Sequence, residues 1–432
     1  MLAAAVMALL IAITGRAPVE TSAAVLRAEP SAVPALPSPS GSSNAYYVGP
    51  SGSDSGSGTS TAPFRTIQEA ANVAGPGSTI IVNNGTYTGS NTGAGKPGCT
   101  PVHSCNVLVL SRSGTAGYPI TLEAANPLGA VISGFSGTTA STGYCILFLP
   151  GVSYINIIGF DIQGCYAAGI ETSNGAQNHD LLISQNHIHA IAELVLDSCS
   201  DYGYDGIYIG TSNYNVVIDR NTINNIGRSP DSCGNSFDYL HDHGIYPNGH
   251  DITITNNLFY AEHSGYPIKV TTYGYPGDGT NFLIANNTFG SSGNPYLRKF
   301  GDISLDSSGC KGTCELSGTI ENNISYAPDN GYFFSLYFGP GASVWAIENN
   351  LIGNSAALYS SGGGSVLGSG NVLNTNPLLV APTASPDPNF ALQAASPAIG
   401  AGVANGAIPP LDWSGRPHAG KPVIGALEPA FP

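Results

Sequence analysis

The sequence predicts an all-β protein built as a parallel β-helix, a solenoid in which short strands stack coil upon coil. Two observations lead to this prediction. Glycine is abundant (56 of 432 residues) and charged residues are scarce (9%), which is typical of short strands and turns rather than of long amphipathic helices. An apolar run followed by asparagine also recurs at intervals of roughly 20 to 36 residues, within the range of stacked-repeat proteins.

The repeated asparagine defines the coil. Its copies are Asn186, Asn221, Asn257, Asn287, Asn323, Asn350 and Asn371. We expect each coil to turn sharply there through an αL residue, and the stacked amides to hydrogen-bond from coil to coil. A β-sandwich also combines short strands with Gly and Asn turns, but the in-phase asparagine column favours the β-helix. At least two parallel sheets and roughly seven to ten coils are expected.

The chain begins with an apolar run, Met1 to Ile13, that suits a signal peptide and is too short to span a membrane. Residues 1–23 are therefore predicted to be a signal peptide and the protein to be secreted, and no later run is long enough to cross a membrane. Residues 24–44 are rich in Pro, Ala and Ser and are predicted to be a flexible linker. The β-helix is predicted over residues 45–376.

The first ordered segment has the sequence PFRTIQEAANVAGPGSTIIVNNGTYTG. It predicts a helix with Thr66 as N-cap, ending near Ala74, and then a strand over residues 79–82. The segment resembles the N-terminal cap of secreted right-handed parallel β-helix proteins of the pectate-lyase-like superfamily, which includes polysaccharide lyases and epimerases. This resemblance implies a right-handed β-helix whose open end is covered by a short helix.

Residues 377–432 lack the asparagine repeat and contain the strings SPAIGAG, LDWSGRP and IGALE. These strings resemble the C-terminal tail of bacterial surface β-helix proteins. The segment is predicted to be a tail that caps the edge of the last coil.

Eight cysteines, an even number in a chain expected to be exported, predict disulfide bonds. Two expected pairs close small loops, Cys99 with Cys105 and Cys310 with Cys314. Two others tie neighbouring coils, Cys145 with Cys165 and Cys199 with Cys233. For Cys310 and Cys314 the alternative is a pair of free or metal-bound thiols.

The net charge of −15 disfavours nucleic acid as a partner, because nucleic-acid binding requires clustered Lys and Arg. An anionic polysaccharide would need bound divalent cations or a local basic patch to reverse the field near its site. No organic cofactor is expected, and the protein is expected to be a monomer.

Three strand-like runs, at residues 206–209, 244–247 and 267–270, carry the candidate site. Stacked in parallel with Ile207, Ile245 and Ile268 inside, they place a column of polar side chains outside, namely Tyr208, Tyr246 and Lys269. Glu171 would extend this column by one coil, while Asp205 and His243 would lie at its mouth. The predicted substrate-binding residues are Glu171, Tyr204, Tyr266, Tyr273, Arg298 and Lys299.

The resemblance implies how such a column acts. In lyases of this superfamily a Lys, Arg or His removes the proton α to the carboxylate of a uronic acid, and Ca²⁺ held by aspartates often neutralises that carboxylate. Lys269 would be the base. The aspartates similar to a family 9 pectate-lyase calcium site are Asp201, Asp205, Asp238 and Asp242, although adjacent Asp pairs are not reproduced.

Other reactions fit the same scaffold. His243 as base with Tyr208 or Tyr246 as acid resembles the alginate lyases and uronate C5-epimerases. Paired carboxylates would instead support a glycoside hydrolase. A non-catalytic polysaccharide-binding surface protein needs no base at all. The favoured prediction is a secreted polysaccharide lyase that cleaves an acidic, uronate-containing polymer by β-elimination.

Overall fold

The structure is a computed structural model. It describes residues 44–88, 106–136, 139–140, 143–192, 203–228, 241–261, 265–275, 277–291, 301–308, 310, 314–327, 332–337, 343–354, 357–360, 365–385, 387–404, 408–418 and 420–429. The predicted signal peptide and almost all of the predicted linker lie outside these residues, and the predicted domain bounds stay a prediction.

Three parallel sheets of eleven, ten and nine strands extend from residue 45 to residue 373, and a complete coil contributes one strand to each sheet. The first sheet contains Ala45–Val48, Thr79–Val82, Ile120–Ala124, Ser153–Ile158, His179–Ser184, Tyr214–Asp219, His250–Thr255, Phe282–Ala285, Leu316–Glu321, Ser343–Glu348 and Ser365–Ser369. The second contains Gly85–Thr88, Ala130–Ser133, Asp161–Gln163, His187–Ile191, Thr222–Ile226, Leu258–Tyr260, Thr288–Phe289, Ile324–Ser325, Leu351–Ile352 and Val372–Leu373. The third contains Asn106–Leu110, Tyr144–Phe148, Ala168–Thr172, Asp205–Ile209, His243–Pro247, Ile268–Thr271, Ile303–Asp306, Tyr332–Tyr337 and Ala357–Ser360.

This arrangement is a parallel β-helix, which confirms the predicted fold class. The three sheets agree with the expectation of at least two. The run LLISQNHIHAI, residues 181–191, contributes to two of them, through the strands His179–Ser184 and His187–Ile191. Two short antiparallel pairs lie outside the three sheets, Phe135–Ser136 with Thr139–Ala140 and Leu379–Ala381 with Asn389–Leu392.

The predicted N-terminal helix is present over Ile67–Val73. The hydroxyl of its N-cap, Thr66, accepts a hydrogen bond from the Glu69 amide at 3.2 Å, and Ala74 is the C-cap. Ile67, on the buried side of the helix, joins the main hydrophobic core. The helix therefore packs onto the coil interior, while its role as an end cap stays a prediction.

The coil interior is filled by aliphatic side chains that stack in register. Ile207, Ile245 and Ile268 are paired strand to strand and are fully inaccessible to solvent. The same row continues to Ile303, which is also buried. The predicted inward orientation of these isoleucines is confirmed, and it fixes which side chains of the third sheet face outward.

The predicted asparagine ladder is also confirmed. From Asn221 to Asn371, each side-chain oxygen accepts the backbone N–H and the side-chain amide of the preceding ladder asparagine, at 2.8 to 3.1 Å. The αL residue is not the ladder asparagine itself, as the sequence interpretation assumed. It is the residue before it, as at Arg220 (φ 58°) and Asn256 (φ 54°). The buried amide therefore satisfies the backbone groups that the turn leaves open.

Two of the predicted disulfides lie in the described residues and are formed, Cys145–Cys165 and Cys310–Cys314. The thiol alternative for Cys310 and Cys314 is therefore wrong.

The other two predicted disulfides fall on residues that the structure does not describe. Cys99 and Cys105 both lie outside the described residues, and so do Cys199 and Cys233. The pairing of Cys99 with Cys105 and that of Cys199 with Cys233 therefore stay predictions. Within the described chain, no helix has the length and apolar character needed to span a membrane.

The C-terminal segment lies against the side of the coil stack. Its backbone carbonyls at Leu411 and Val423 accept hydrogen bonds from Asn256 and Asn286, the αL residues of two successive coils. Phe390 and Ile424 pack in a separate apolar cluster with residues of the second sheet. These contacts hold the C-terminal segment against the outside of the coils. The predicted capping of the edge of the last coil stays a prediction.

Candidate active site on the third sheet

The outward column predicted from the sequence is present on the third sheet. Glu171 pairs with Tyr208, and Tyr208 pairs with Tyr246 on the next strand. The pairing of Ile245 with Ile268 then sets Lys269 one step further along the same row. All of these outward side chains are partly exposed, in contrast to the isoleucines beside them. The structure therefore brings the predicted column together.

A cavity of about 320 Å³ opens on this face. The side chains that line it and that matter below are Glu171, Asp205, Tyr208, Tyr246, Tyr273 and Asn174. Asp205 is 4% exposed, and its backbone is paired with that of His243. A cavity of this size on an open sheet suits one part of an extended ligand better than a whole small molecule.

Lys269 lies at the C-terminal side of this cavity. Its Nζ is 5.8 Å from the centroid of the Tyr246 ring and 3.7 Å from Oδ2 of Asp306. The side chains of Lys269 and Asp306 are 15% and 19% exposed. A primary amine is thus held beside the cavity by a ring face and a carboxylate while it stays accessible to a ligand.

The two tyrosines of the column are proton donors rather than anions. The Tyr246 hydroxyl lies 2.6 Å from that of Tyr273, and the Tyr208 hydroxyl donates to Asn174 Oδ1 at 2.9 Å. Burial raises the pKa of Tyr246 and of Tyr208 above the usual range of phenols. Both hydroxyls therefore stay protonated at neutral pH, which suits an acid and excludes a tyrosinate base.

His243 is fully buried and is held by backbone groups. Its Nδ1 accepts the amide hydrogen of Tyr266 at 3.0 Å, and its own amide donates to Asp205 Oδ1 at 3.0 Å. In the neutral ring the proton must then be on Nε2, because Nδ1 is acting as an acceptor. This arrangement favours a positioning role for His243 over the role of general base.

Two carboxyl groups in the cavity resist ionisation. Burial, followed by the charges of Asp242 and Glu171, raises the pKa of Asp205 well above its ordinary value. Burial likewise raises the pKa of Glu171. Carboxyl groups with raised pKa values can donate hydrogen bonds, so this cavity is less negative than its composition suggests.

We expect Asp205→Asn to raise the stability of the calcium-free protein at pH 7. The pKa of Asp205 is higher in the folded protein than in the unfolded chain, where it is about 4, so stability is lost as pH rises from the unfolded value to the folded one. The loss is about 1.4 kcal/mol for each pH unit in that interval. The variant cannot ionise and escapes this loss.

Urea denaturation in chelator is the measurement for Asp205→Asn. It should show the gain in stability at pH 7 and little gain at pH 4, whereas exposed Asp387→Asn should show neither. An unchanged or reduced stability of Asp205→Asn at pH 7 would contradict the raised pKa.

Asp242, predicted as a calcium ligand, is fully buried in a pair with Arg228. Arg228 donates to both carboxylate oxygens, from Nη2 to Oδ1 at 2.8 Å and from Nε to Oδ2 at 3.0 Å. The amides of Arg228 and Tyr204 donate to the same two oxygens. These contacts favour a structural role for Asp242 over that of a metal ligand.

Of the predicted calcium ligands that the structure describes, only Asp205 lines the cavity. Asp201 and Asp238 lie outside the described residues. The residues that the structure describes therefore do not assemble the predicted four-aspartate site, and no step of the chemistry is derived through a metal at this place.

The predicted substrate-binding tyrosines occupy different environments. Tyr204 is 4% exposed, its hydroxyl donates to Tyr166 and its ring lies 4.6 Å beneath the Arg228 guanidinium carbon. Tyr266 is partly exposed beside His243, and Tyr273 is 45% exposed at the cavity rim. Tyr273 is thus the best placed of the three for stacking on a sugar. Arg298 and Lys299 lie outside the described residues.

Three contributors to this site were missed by sequence reasoning, namely Arg228, Asn174 and Tyr144, of which Asn174 and Tyr144 line the cavity. Arg228 follows the strand Thr222–Ile226 and reaches Asp242 from the preceding coil, for which the sequence carries no spacing signal. Asn174 follows the strand Ala168–Thr172 in the turn of the Glu171 coil. Its proximity to the column could have been found from the repeat register.

Known proteins resemble parts of this chain in sequence and the chain as a whole in fold. The family described as "Pel9A-like, right handed beta helix region" matches residues 46–243. Pectate lyase PEL9 of Emericella nidulans is 30% identical over 143 residues, which are 31% of this chain and 31% of that protein. The uncharacterized protein YwoF of Bacillus subtilis is 31% identical over 157 residues, 35% of this chain and 30% of that protein. The alignments thus span about a third of each curated relative.

Among solved structures, the crystal structure of pectate lyase Pel9A superposes with a TM-score of 0.56 at 17% identity, over 89% of this chain and 96% of that chain. The chain is a pectate-lyase-like right-handed β-helix protein. In this pectate-lyase-like protein the family match ends at His243, so Lys269 and Asp306 lie beyond the matched residues. The chemistry of the site must therefore be argued from its own geometry.

Proposed function

We propose that the protein is a secreted polysaccharide lyase that cleaves an acidic, uronate-containing polymer by β-elimination, with Lys269 as the base. The observation that carries the proposal is the position of the Lys269 amine on the open face of the third sheet, beside a cavity lined by tyrosine hydroxyls and by two carboxyl groups whose pKa values are raised by burial. The pectate lyase among the curated relatives supports the same reaction class.

In the proposed reaction Lys269 Nζ takes the C5 proton of a bound uronate. The electron pair left on C5 forms the C4–C5 double bond as the C4–O4 bond breaks, and the leaving oxygen takes a proton. Charge builds on the carboxylate in the transition state, so donors aimed at this group lower the barrier. The Tyr246 and Tyr273 hydroxyls, 2.6 Å apart, are suited to donate to that carboxylate or to the leaving oxygen.

The raised pKa values of Glu171 and Asp205 ease the charge conflict between an acidic protein and an acidic polymer. A protonated carboxyl can donate a hydrogen bond to a uronate carboxylate, whereas an ionised one would repel it. A calcium ion would supply the same neutralisation, but it would need Asp201, Asp238 and the second oxygen of Asp205, because Arg228 engages both oxygens of Asp242. Loss of activity on chelation is the test of that ion.

A glycoside hydrolase is the second candidate, and one observation favours it. Glu171 and Asp205 line the same cavity, and both have raised pKa values, as an acid catalyst requires. In a hydrolase one of them would protonate the glycosidic oxygen. A C5-epimerase and a non-catalytic binding protein use the same face and are separated from both by the experiment below.

The experiment incubates the purified protein with a panel of uronate polymers, with and without chelator. A lyase produces unsaturated uronate ends that absorb in the ultraviolet, a hydrolase produces reducing ends without that absorbance, and an epimerase changes sugar configuration without cleavage. Binding without any product would leave a carbohydrate-binding surface and would contradict the proposed function.

Glu171→Gln separates the two cleavage reactions. The glutamine amide still donates a hydrogen bond but cannot release a proton, so a lyase should lose less than about tenfold in turnover, whereas a hydrolase using Glu171 as its acid should lose at least about 10². Steady-state turnover on the cleaved polymer is the measurement. Retained turnover with ultraviolet-absorbing products would support elimination. A loss of at least about 10² in the release of reducing ends that lack this absorbance would favour hydrolysis.

Secretion is part of the proposal. It is supported by the apolar run Met1 to Ile13 and by the disulfides Cys145–Cys165 and Cys310–Cys314, because disulfides persist outside the reducing cytosol.

A further inference from the structure

A cluster of three potential metal ligands lies on the second sheet, away from the cavity of the third. Asp161 belongs to the strand Asp161–Gln163, and His187 and His189 belong to the strand His187–Ile191 of the next coil. Asp161 pairs directly with His187, and His189 is two residues further along its strand. Strand alternation therefore puts all three side chains on the same face, and they are about a fifth to a quarter exposed.

The ligand atoms of this cluster converge. Nε2 of His189 lies 3.0 Å from Oδ1 of Asp161, and Nδ1 of His187 lies 4.0 Å from Oδ2 of the same carboxylate. The two imidazole rings stack with centroids 4.1 Å apart. One nitrogen from each ring and one carboxylate oxygen all lie within 4.8 Å of one another. Three potential ligand atoms thus already lie close enough together to contact one ion.

The tautomer of His187 is set by a fourth residue. Nε2 of His187 lies 2.6 Å from the side-chain oxygen of Asn224, which can only accept a hydrogen bond. The proton of the neutral ring is therefore on Nε2, and the lone pair of Nδ1 points toward Asp161. Two acceptors then face each other across 4.0 Å, an arrangement that a cation would stabilise.

We propose that Asp161, His187 and His189 bind a divalent transition-metal ion of the zinc type. Two imidazole nitrogens and one carboxylate oxygen are ligands that zinc accepts at about 2.0 to 2.2 Å, with a further position left open to solvent. Calcium is disfavoured because it takes six to eight oxygen ligands. The Asn224 contact is the kind of outer partner that orients a ligating histidine.

This site is independent of the proposed lyase reaction. Its ligands come from two successive coils, so a bound ion would link these two coils through side chains, in addition to the backbone hydrogen bonds between their strands. None of its residues lines the cavity on the third sheet. Failure of the lyase proposal would therefore leave the metal site untouched, and the reverse also holds.

The test uses the whole protein, freed of metal by dialysis against chelator and then titrated with Zn²⁺ by calorimetry and with Co²⁺ by visible absorption. We expect one saturable site, with Co²⁺ absorption bands typical of nitrogen and oxygen ligation. His189→Ala and Asp161→Asn should weaken binding by at least about 100-fold, and Asn224→Ala by about 10 to 100-fold through the tautomer of His187. Circular dichroism checks that each variant is folded.

The matched control is His250→Ala. His250 has a similar exposure, and its Nδ1 contacts the Asp251 carboxylate at 2.6 Å, but no third ligand joins this pair in the described residues. This variant should bind Zn²⁺ like the parent protein. The proposal is overturned if the parent shows no saturable binding, if His250→Ala weakens binding as much as His189→Ala, or if the Co²⁺ spectrum of folded His189→Ala is unchanged.

Discussion

Lys269→Ala is expected to lower turnover on the cleaved polymer by at least about 10², the usual effect of removing a positioned general base. The side chain lies on the outer face of the sheet and contributes no core packing, so the thermal unfolding temperature should stay close to that of the parent protein. Turnover and KM measured on the polymer identified by the screen, together with an unfolding curve, test both parts.

Three further variants assign the effect. Lys269→Arg keeps the positive charge beside Asp306 but cannot lose its proton, so it should preserve KM better than turnover. Exposed Lys421→Ala is the control for charge alone and should be fully active. Loss of activity in His243→Ala with Lys269→Ala unaffected would assign the base to His243, and full activity in both would identify the column as a binding surface. Each result should be read with and without chelator.

The column could be predicted because it depends on rules that a sequence displays directly. Strand alternation and the stacking of identical coils determine that Tyr208, Tyr246 and Lys269 share a row once Ile207, Ile245 and Ile268 are inside. The asparagine ladder is visible for the same reason, since it repeats once per coil. The sequence interpretation placed the αL residue at the ladder asparagine, whereas the αL residue is the one before it. The two could not be distinguished because both residues of a pair such as Asn256-Asn257 suit that turn.

The environment of the carboxylates could not be predicted, because it depends on side chains at strand ends. Regular alternation from Ile207 would place Asp205 inside the coil. A side chain at Gly206 would instead meet the Ile226 side chain of the core and the Gly244 carbonyl, which shows that this position faces inward. The alternation is therefore broken at Gly206, and Asp205 faces the cavity. Only the folded backbone reveals such an irregularity.

Asp242 illustrates the same limit with a larger consequence. In sequence it looks like one of four loop aspartates suited to calcium, yet in the structure a guanidinium from the previous coil engages both of its oxygens. When both partners of an ion pair are buried, each charge is tolerated only while the other is present, because either charge alone is strongly disfavoured in the interior. The pair therefore couples two coils just beneath the cavity.

Asp242→Ala is accordingly expected to lower the free energy of unfolding by about 3 to 5 kcal/mol, the range for removing one partner of a buried ion pair. The Arg228 guanidinium, 1% exposed, would lose both carboxylate contacts, and the Tyr204 amide would lose its acceptor. Urea denaturation of the parent and variant proteins measures the difference. The loss should be the same with calcium or with chelator, because the pair is satisfied within the protein.

The control variants separate the charge pair from a general effect of losing an aspartate. Asp387→Ala removes an exposed carboxylate and should change stability by no more than about 0.5 kcal/mol. Asp242→Asn retains one acceptor oxygen and should fall between the two. A loss in Asp242→Ala that matched Asp387→Ala would contradict the buried pair. A loss that appeared only when calcium was present would return Asp242 to the calcium site, because the residue would then stabilise the fold through the ion rather than through Arg228.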